Sequence, residues 1–543
     1  MATASLQFPF DCNISLGNFR KLWQSILKTQ RAHFCALECP RTVGNVSSFL
    51  EELNDFDLLR QAKDIDGVVW QALHPVTAFR DEATLAEKAF TAFDAEVFAS
   101  SAIANNVALY EASINLTEDE SRRMLQEWKR TLKQGGAYLQ PEKKSKVQEL
   151  MTDIQDAMNK SKDNVRNDDR HVELTVEELK GVPDDYLLTH PVNGITGKIH
   201  VYGKYVYMEP ILEYCQVRDT REKCMRLLDN MASPVNEAVL QRLLGLRREK
   251  ANLLGYTHLA DSQLEGTMVK TTEKVLVFLD KVVDAVQVRS KKETSLVAKL
   301  LEESDGIVDM KSWDVMYGIT LLKSHLLPGF DMKDTRQYFP IERAFPAIQK
   351  IAQDLFRIRF DPIENVQAWH SSVSACLVYD TSAGQDELLG RLFFDVYARD
   401  GKSDGISAWF VRPSVSDRQL AEVILVANLE IEQGTCMSYK ELRDILHELG
   451  HCVHAILGKS RYARLSGPLA TQMDFMEMPS QMLELWLTEK SLYNFAVNNK
   501  GQRIPDEVLD KILAAEAIGR GILQNGQLVF AKLAVSSCCR TSS

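Results

Sequence analysis

The sequence predicts a mainly α-helical protein with one small region of β structure directly before a histidine-rich helix. Apolar residues recur at helical spacing from Phe49 to about Asp331, and short runs of aromatic and β-branched residues follow between 377 and 411. A third observation is the segment 438–458, which has helix-start and helix-stop residues at its two ends. With 543 residues, 45% hydrophobic and 26% charged, the chain can build large cores in one elaborate domain or several smaller ones.

Changes in pattern divide the chain into four regions. Residues 1–48 are an N-terminal extension that we expect to be flexible, and residues 49–360 are a mostly helical lobe. Residues 361–535 contain the histidine-rich helix, and residues 536–543 are an atypical tail. No fixed-period repeat or long low-complexity linker separates these regions.

Several segments of the helical lobe have recognisable ends. Thr117 and Glu120 match a capping box, which predicts a helix that closes at Gly135 and Gly136. Apolar stripes and terminal residues predict further helices at residues 141–163, 234–254 and 272–283. Such stripes are far more often core packing than cofactor sites.

The β structure is predicted from composition. Residues 199–207 are rich in aromatic and β-branched residues and indicate a strand or hairpin, in which we expect His200 to be packed or solvated rather than a ligand. Further strands are predicted at residues 377–379, 392–397 and 406–411. Turn-forming residues separate these runs, so we expect a small sheet directly before the histidine-rich helix.

Charge and composition narrow the class of protein. A net charge of -11 argues against nucleic acid or an anionic membrane as a partner. No stretch approaches the roughly 18 apolar residues that a membrane span needs. The 10 cysteines are scattered and no secretory signal is present, which favours the cytoplasm. The basic, acid-poor first 31 residues leave the mitochondrial matrix as the alternative.

The segment 438–458 is predicted to be one short helix. Ser438 can cap its start while Glu441, three positions later, reaches back to it, and Gly458 follows the last apolar residue. The helix prediction therefore rests on both ends.

The same helix has the spacing of a metal site. His447 and His451 are four residues apart and project from one face, close enough to bind one ion of zinc size. Glu448 lies beside them, where a carboxylate can hold and deprotonate a water molecule. His454 lies about 10 Å along the axis from His447, so we expect it to support the site or to pack. Asp444 is either an orienting partner for a histidine or a solvated charge.

A catalytic zinc takes three protein ligands and keeps one open position. Residues 473–486 offer Asp474, Glu477 and Glu484 as the third ligand. Spacing alone does not choose among them, because Glu477 and Glu484 lie two turns apart on one helical face. The competing interpretation of the pattern is a helix with two histidines and an exposed glutamate by chance.

The order of these segments resembles the catalytic core of the M3 family of zinc oligopeptidases, which includes thimet oligopeptidase and neurolysin. The resemblance rests on residues 447–454, on Ser466 with Gly467 and on residues 474–486. It extends upstream through residues 253–256, 389–402 and 426–428. It implies a mainly α, two-lobed helical zincin of that type, with a small β-sheet near the metal helix and a deep substrate channel.

The resemblance also implies a function. His447, His451 and Glu477 would bind one Zn²⁺ per chain, and Glu448 would be the general base of a metalloendopeptidase that hydrolyses internal bonds of short oligopeptides. The chain is then expected to be a monomer whose partners are oligopeptide substrates. An exposed sheet edge could hold such a peptide, and Trp409 could face it; simple core packing is the alternative for both.

The chain departs from the family pattern at its end. The match continues through residues 504–509 and 526–532 and stops at the tail 536–543, whereas the family continues into a segment whose histidine and tyrosine assist catalysis. This predicts a truncated chain, and it leaves a catalytically weak or inactive peptide-binding product as the alternative function. A helical scaffold with an accidental motif is disfavoured, because the expected segments follow in order. A presequence intermediate and a cytosolic peptide both remain open as substrates.

Overall fold

The computed structural model of the chain describes residues 13–41, 46–61, 67–113, 119–429 and 435–539. These residues are mostly helical and include a two-stranded and a five-stranded sheet, which confirms the predicted mainly α fold with a small sheet. No helix in the described ranges is long and apolar enough to cross a membrane.

Internal contacts group the chain into two compact units that interleave along the sequence. The first unit comprises Met1–Gln148, Gly266–Met268 and Lys333–Asp506, and the second comprises Glu149–Glu265, Val269–Met332 and Glu507–Ser543. The region boundaries at residues 48, 360 and 535 stay predictions.

In chain order the helices are α1 (Leu16–Glu38), α2 (Val46–Arg60), α3 (Val68–Leu73), α4 (Thr77–Phe98), α5 (Ser101–Ser113), α6 (Asp119–Gln134), α7 (Pro141–Arg166), α8 (Asp184–Thr189), α9 (Tyr205–Tyr214), α10 (Arg218–Asp229), α11 (Val235–Leu253), α12 (Leu259–Leu264), α13 (Thr272–Asp305), α14 (Val315–Leu326), α15 (Ile341–Phe356), α16 (Tyr439–Leu457), α17 (Met478–Leu485), α18 (Asp506–Ala517) and α19 (Arg520–Cys539). The strands are β1 (His171–Leu174), β2 (Ile199–Tyr202), β3 (Ile358–Pro362), β4 (Ser374–Asp380), β5 (Glu387–Tyr397), β6 (Ser407–Arg412) and β7 (Ala421–Leu429). Short 3-10 helices lie at Ser312–Asp314, Met332–Tyr338, Ala463–Leu465, Pro468–Ala470, Trp486–Thr488 and Lys490–Phe495.

The helices predicted from apolar stripes are present. α7, α11 and α13 cover the three predicted segments, and α6 ends just before Gly135 as expected. Thr117 of the predicted capping box lies outside the described residues. Helix α1 corrects one expectation: Phe19, Phe34 and Leu37 are buried in the core of the first unit, so this part of the N-terminal extension is packed rather than flexible.

The prediction of a strand or hairpin over residues 199–207 is wrong for its second half. β2 ends at Tyr202 and pairs antiparallel with β1, and α9 begins at Tyr205. The reason is that the following apolar residues have helical spacing and are buried together: Met208, Ile211, Leu212 and Cys215.

The five-stranded sheet lies in the first unit and has the order β3–β4–β5–β7–β6. β5 and β7 are parallel, and the other neighbours are antiparallel. The three strands predicted between residues 377 and 411 are confirmed as parts of β4, β5 and β6. β7 escaped prediction because it is buried along nearly its whole length, so its apolar run shows no alternation to distinguish it from a buried helix.

Helix α16 packs against this sheet, and its predicted ends are confirmed. The Glu441 N–H donates to Ser438 Oγ at 3.1 Å, and the Ser438 N–H donates to Glu441 Oε2 at 2.7 Å, which completes the capping box. The helix ends at Leu457, directly before Gly458. Eleven residues of α16 are buried, so its position on the sheet is fixed by apolar packing.

Candidate metal centre

The two histidines of α16 lie on one face, as their spacing requires. The ring centroids of His447 and His451 are 5.0 Å apart and the ring planes are inclined by 79°. The His451 side chain is buried, while about a fifth of the His447 side chain is exposed. This face is thus largely shielded from water but open on one side.

A carboxylate from the following segment completes a cluster with these histidines. Glu477 Oε2 lies 3.2 Å from His447 Nε2 and 3.1 Å from His451 Nε2. The three donor atoms all lie within 4.8 Å of one another. Two imidazole nitrogens and one carboxylate oxygen that converge on one point are a donor set that suits Zn²⁺. The residues present therefore fit the ion that the sequence predicts.

The three acidic candidates for the third ligand have different surroundings. Asp474 accepts a hydrogen bond from the backbone N–H of Met268 at 2.9 Å. Glu484 Oε1 lies 2.5 Å from Nδ1 of His447, on the side of the ring that faces away from the cluster. Of the three, Glu477 is the one placed beside both Nε2 atoms.

Glu484 has an orienting position that the sequence did not reveal. The Nδ1–H of His447 donates to this carboxylate, which leaves the lone pair of Nε2 directed at the cluster. The same hydrogen bond is the main reason that the pKa of His447 is raised. Asp444, the residue considered for this role, instead lies with Oδ1 3.3 Å from Arg443 Nη2.

Gly450 lies between the two histidines in sequence and controls how closely the next helix approaches. A Cβ atom on this residue would lie 2.6 Å from Ser480 Cα, so a larger residue would push α17 away. Ser480 in turn supports Glu477, because its hydroxyl donates to the Glu477 carbonyl at 2.8 Å and lies 3.3 Å from Oε2. A glycine inside a helix was the available sequence signal for this contact.

Glu448 lies on the side of α16 that faces β6. Burial raises the pKa of its carboxyl to about 7, although the backbone N–H of Ala408 donates a hydrogen bond to it. A group with a pKa near neutrality can both accept and return a proton in that pH range. The arrangement can therefore combine a divalent cation with an adjacent proton acceptor.

Two further residues that the sequence suggested for the site, His454 and Trp409, lie outside the cluster. Nε2 of His454 is 3.4 Å from Thr471 Oγ1, and burial lowers the pKa of His454. Trp409 packs against the apolar core of the first unit, and its indole N–H donates to Ser407 Oγ at 2.9 Å. For Trp409 this arrangement favours the packing alternative.

Comparisons with known proteins agree with this arrangement. Residues 211–539, more than half of the chain, match the model of peptidase family M3. The chain is 28% identical over 391 residues to a probable thimet oligopeptidase of Arabidopsis thaliana, which covers 70% of this chain and 54% of that protein. Saccharolysin of Saccharomyces cerevisiae is 27% identical over 423 residues, which covers 73% of this chain and 59% of that protein.

Oligopeptidase A of Escherichia coli is 26% identical over 420 residues, which covers 73% of this chain and 61% of that protein. The chain thus spans between about half and two thirds of the length of these curated relatives. The family match includes both histidines of α16 and the segment that carries Glu477. The chain belongs to peptidase family M3.

Proposed function

We propose that this chain is a zinc metalloendopeptidase that hydrolyses internal bonds of short peptides. The observation that carries the proposal is the convergence of His447 Nε2, His451 Nε2 and Glu477 Oε2, with the half-buried Glu448 beside them. The names of the M3 relatives, among them oligopeptidase A, support the substrate class.

His447, His451 and Glu477 would hold the ion, with Glu484 fixing the ring of His447 in the orientation that binding needs. When bound, zinc supplies Lewis acidity to a water molecule and to the carbonyl of the scissile bond. The buried side chain of His451 and the apolar underside of α16 limit access of bulk water from that side, while half of the Glu477 side chain stays exposed on the open side. Limited water access strengthens each electrostatic contact that a substrate makes there.

Glu448 would accept a proton from the attacking water and return it to the leaving amine. Its burial keeps the pKa near 7, so the carboxylate is available at neutral pH without being too weak a base. The hydrogen bond from the Ala408 N–H holds the carboxyl group in place between these two transfers.

Strand β6 would hold the peptide next to this base. In the part of the chain that the structure describes, β6 pairs with β7 alone and forms one edge of the sheet. An extended peptide can add to such an edge by backbone hydrogen bonds. The contact between Glu448 and Ala408 supports this placement, because it puts the base beside the edge strand. A monomeric state and a location in the cytoplasm or the mitochondrial matrix stay predictions.

The test is hydrolysis of an internally quenched peptide by the purified chain, with zinc measured on the same sample. Glu448→Gln should lower the rate by at least about a hundredfold and leave the zinc content unchanged, because the amide cannot accept the proton. Glu489→Gln, an exposed glutamate beyond α17, is the matched control and should keep the wild-type rate.

Two outcomes contradict the proposal. If Glu448→Gln cleaves as fast as wild type, the assigned base is wrong. If the wild-type chain binds zinc and the peptide but does not cleave it, the peptide-binding alternative replaces the peptidase.

A further inference from the structure

The ribbon formed by β1 and β2 in the second unit has a second group of metal-ligating side chains. Glu173 lies directly opposite His200 in the antiparallel register, and His171 lies opposite Tyr202. Residues two apart on one strand share a face, and so do cross-strand neighbours. His171, Glu173 and His200 therefore lie on the same face of the ribbon.

The donor atoms of these three residues are close together. One nitrogen of each histidine and one carboxylate oxygen all lie within 4.8 Å of one another. His200 Nε2 is 3.4 Å from Glu173 Oε1, and the two imidazole rings stack with centroids 4.6 Å apart. Rotation of the stacked rings about their side-chain torsions would aim both nitrogens at one ion.

The tautomer of His171 is set by the backbone. Its Nδ1 lies 3.2 Å from the carbonyl oxygen of Asp169, an atom that can only accept a hydrogen bond. Nδ1 is therefore the protonated nitrogen of the neutral ring, and Nε2 carries the lone pair. A backbone carbonyl that fixes the far nitrogen in this way is the usual support of a metal-binding histidine.

The opposite face of the ribbon explains why this arrangement is held in register. Leu174, Ile199 and Val201 are buried in the apolar core of the second unit. A slip of one residue would expose this apolar face, so the register is strongly specified. The face that carries His171, Glu173 and His200 is not part of that core, since His171 and Glu173 are exposed. The three donors are thus positioned by packing to which they do not themselves contribute.

We propose that this face of the ribbon binds one divalent transition-metal ion of the Zn²⁺ class, as a second site that is independent of the α16 cluster. Nε2 of His171, Nε2 of His200 and the carboxylate of Glu173 are its ligands. The mixed nitrogen and oxygen donors select against Mg²⁺ and Ca²⁺, which prefer oxygen alone. Lys198 Nζ lies 3.7 Å from Glu173 Oε2, which leaves Oε1 for the ion. His200 is then a ligand, contrary to the expectation from sequence.

The test is equilibrium dialysis of the untagged full chain against buffered Zn²⁺, followed by metal analysis. His171→Gln and His200→Gln should each bind one equivalent less than wild type. His325→Gln, an exposed histidine on α14 of the same unit, is the matched control and should bind as much as wild type. Zn²⁺ should also slow amide hydrogen exchange in β1 and β2 of wild type, but not of His171→Gln, because the ion ties the two strands together.

A variant of the first cluster separates this proposal from the proposed function. His451→Gln should also lose one equivalent, and His451→Gln combined with His171→Gln should lose two. If both ribbon variants bind as much Zn²⁺ as wild type, the second site is overturned while the peptidase proposal stands. If His451→Gln alone loses nothing, the α16 cluster fails and the ribbon result is unaffected. Unchanged circular dichroism of the variants excludes unfolding as the cause of a loss.

Discussion

The α16 cluster and the ribbon cluster have the same set of donors, two imidazole nitrogens and one carboxylate oxygen, but assemble it in different ways. In α16, His447 and His451 come together through the helix period within five residues. In the ribbon, Glu173 and His200 come together through strand pairing between distant segments. The two histidines of the first cluster can therefore be placed by their own helix, although Glu477 still has to come from the segment before α17. In the second cluster even the first pair of donors needs the fold of its unit.

The surroundings of the two clusters also differ. The α16 cluster has a buried histidine, and Glu484 and Ser480 support its ligands from outside. In the ribbon cluster His171 and Glu173 are exposed and His200 is half-buried, and Lys198 would compete with the ion for the carboxylate. Because charge interactions are stronger where water is excluded, we expect tighter binding at α16 and a weaker, strand-linking ion at the ribbon.

The largest expected effect that separates the clusters is that of Gly450→Ala. The added Cβ would lie 2.6 Å from Ser480 Cα, so α17 must move and take Glu477 away from both histidines. Loss of an intact third ligand should lower zinc affinity at α16 by at least about a hundredfold, and peptide hydrolysis with it. Metal analysis should find one equivalent of zinc less than in wild type, because the ion proposed for the ribbon is retained.

Gly245→Ala is the control for that substitution. Gly245 lies inside α11, and a Cβ there meets nothing within 4 Å, so alanine should be neutral or slightly stabilising. Zinc binding at α16 that survives in Gly450→Ala would show that α17 can relax without displacing Glu477.

The next effect is that of Glu484→Ala. This change removes the acceptor of the His447 Nδ1–H, so the ring loses both its orientation and part of its basicity. Zinc affinity at α16 should fall about 10- to 100-fold, measured by competition with a chelator in the His171→Gln background. Glu489→Ala should change nothing. An affinity equal to wild type would mean that packing alone orients His447.

These contrasts show which parts of the site could be predicted from the sequence. The two histidines and Glu448 follow from one helix whose capping box at Ser438 is local, so their placement could be predicted. The proposed third ligand could not be selected by spacing, because Glu477 precedes α17 and lies beside the histidines where α16 and α17 approach closely at Gly450. That approach is a tertiary contact.

Strand β2 of the ribbon was predicted, but its pairing with β1 could not be, for a related reason. The pairing of Glu173 with His200 depends on which segment of the chain lies opposite residues 199–202. The sequence predicted neither strand β1 nor the helix that begins at Tyr205. In the same way β7 was missed because a strand that is buried along nearly its whole length shows no alternation of apolar and polar residues. Hydrophobic periodicity therefore predicts which face of a single helix or strand is buried. Pairing between strands can be read only from the structure.

A smaller effect is expected for Ser480→Ala, which removes one hydrogen bond to the third ligand. The Ser480 hydroxyl is buried, donates to the Glu477 carbonyl and lies near Oε2. Loss of one such bond, about 1 kcal/mol, should weaken zinc binding at α16 about fivefold. Ser491→Ala, an exposed serine, should have no effect on the chelator competition. A loss as large as that of Gly450→Ala would mean that Ser480 fixes the whole of α17.

The smallest expected effect has the opposite sign and concerns the ribbon. Lys198→Met removes the cation that lies 3.7 Å from Glu173 Oε2 and competes with the metal ion. Exposed ion pairs contribute about 0.2–1 kcal/mol, so zinc affinity of the ribbon should rise by up to about fivefold in the His451→Gln background. Lys281→Met, an exposed lysine on α13, should leave the affinity unchanged. A weaker ribbon site in Lys198→Met would show that the lysine positions Glu173 rather than competing for it, and the two clusters would then both depend on a supporting side chain.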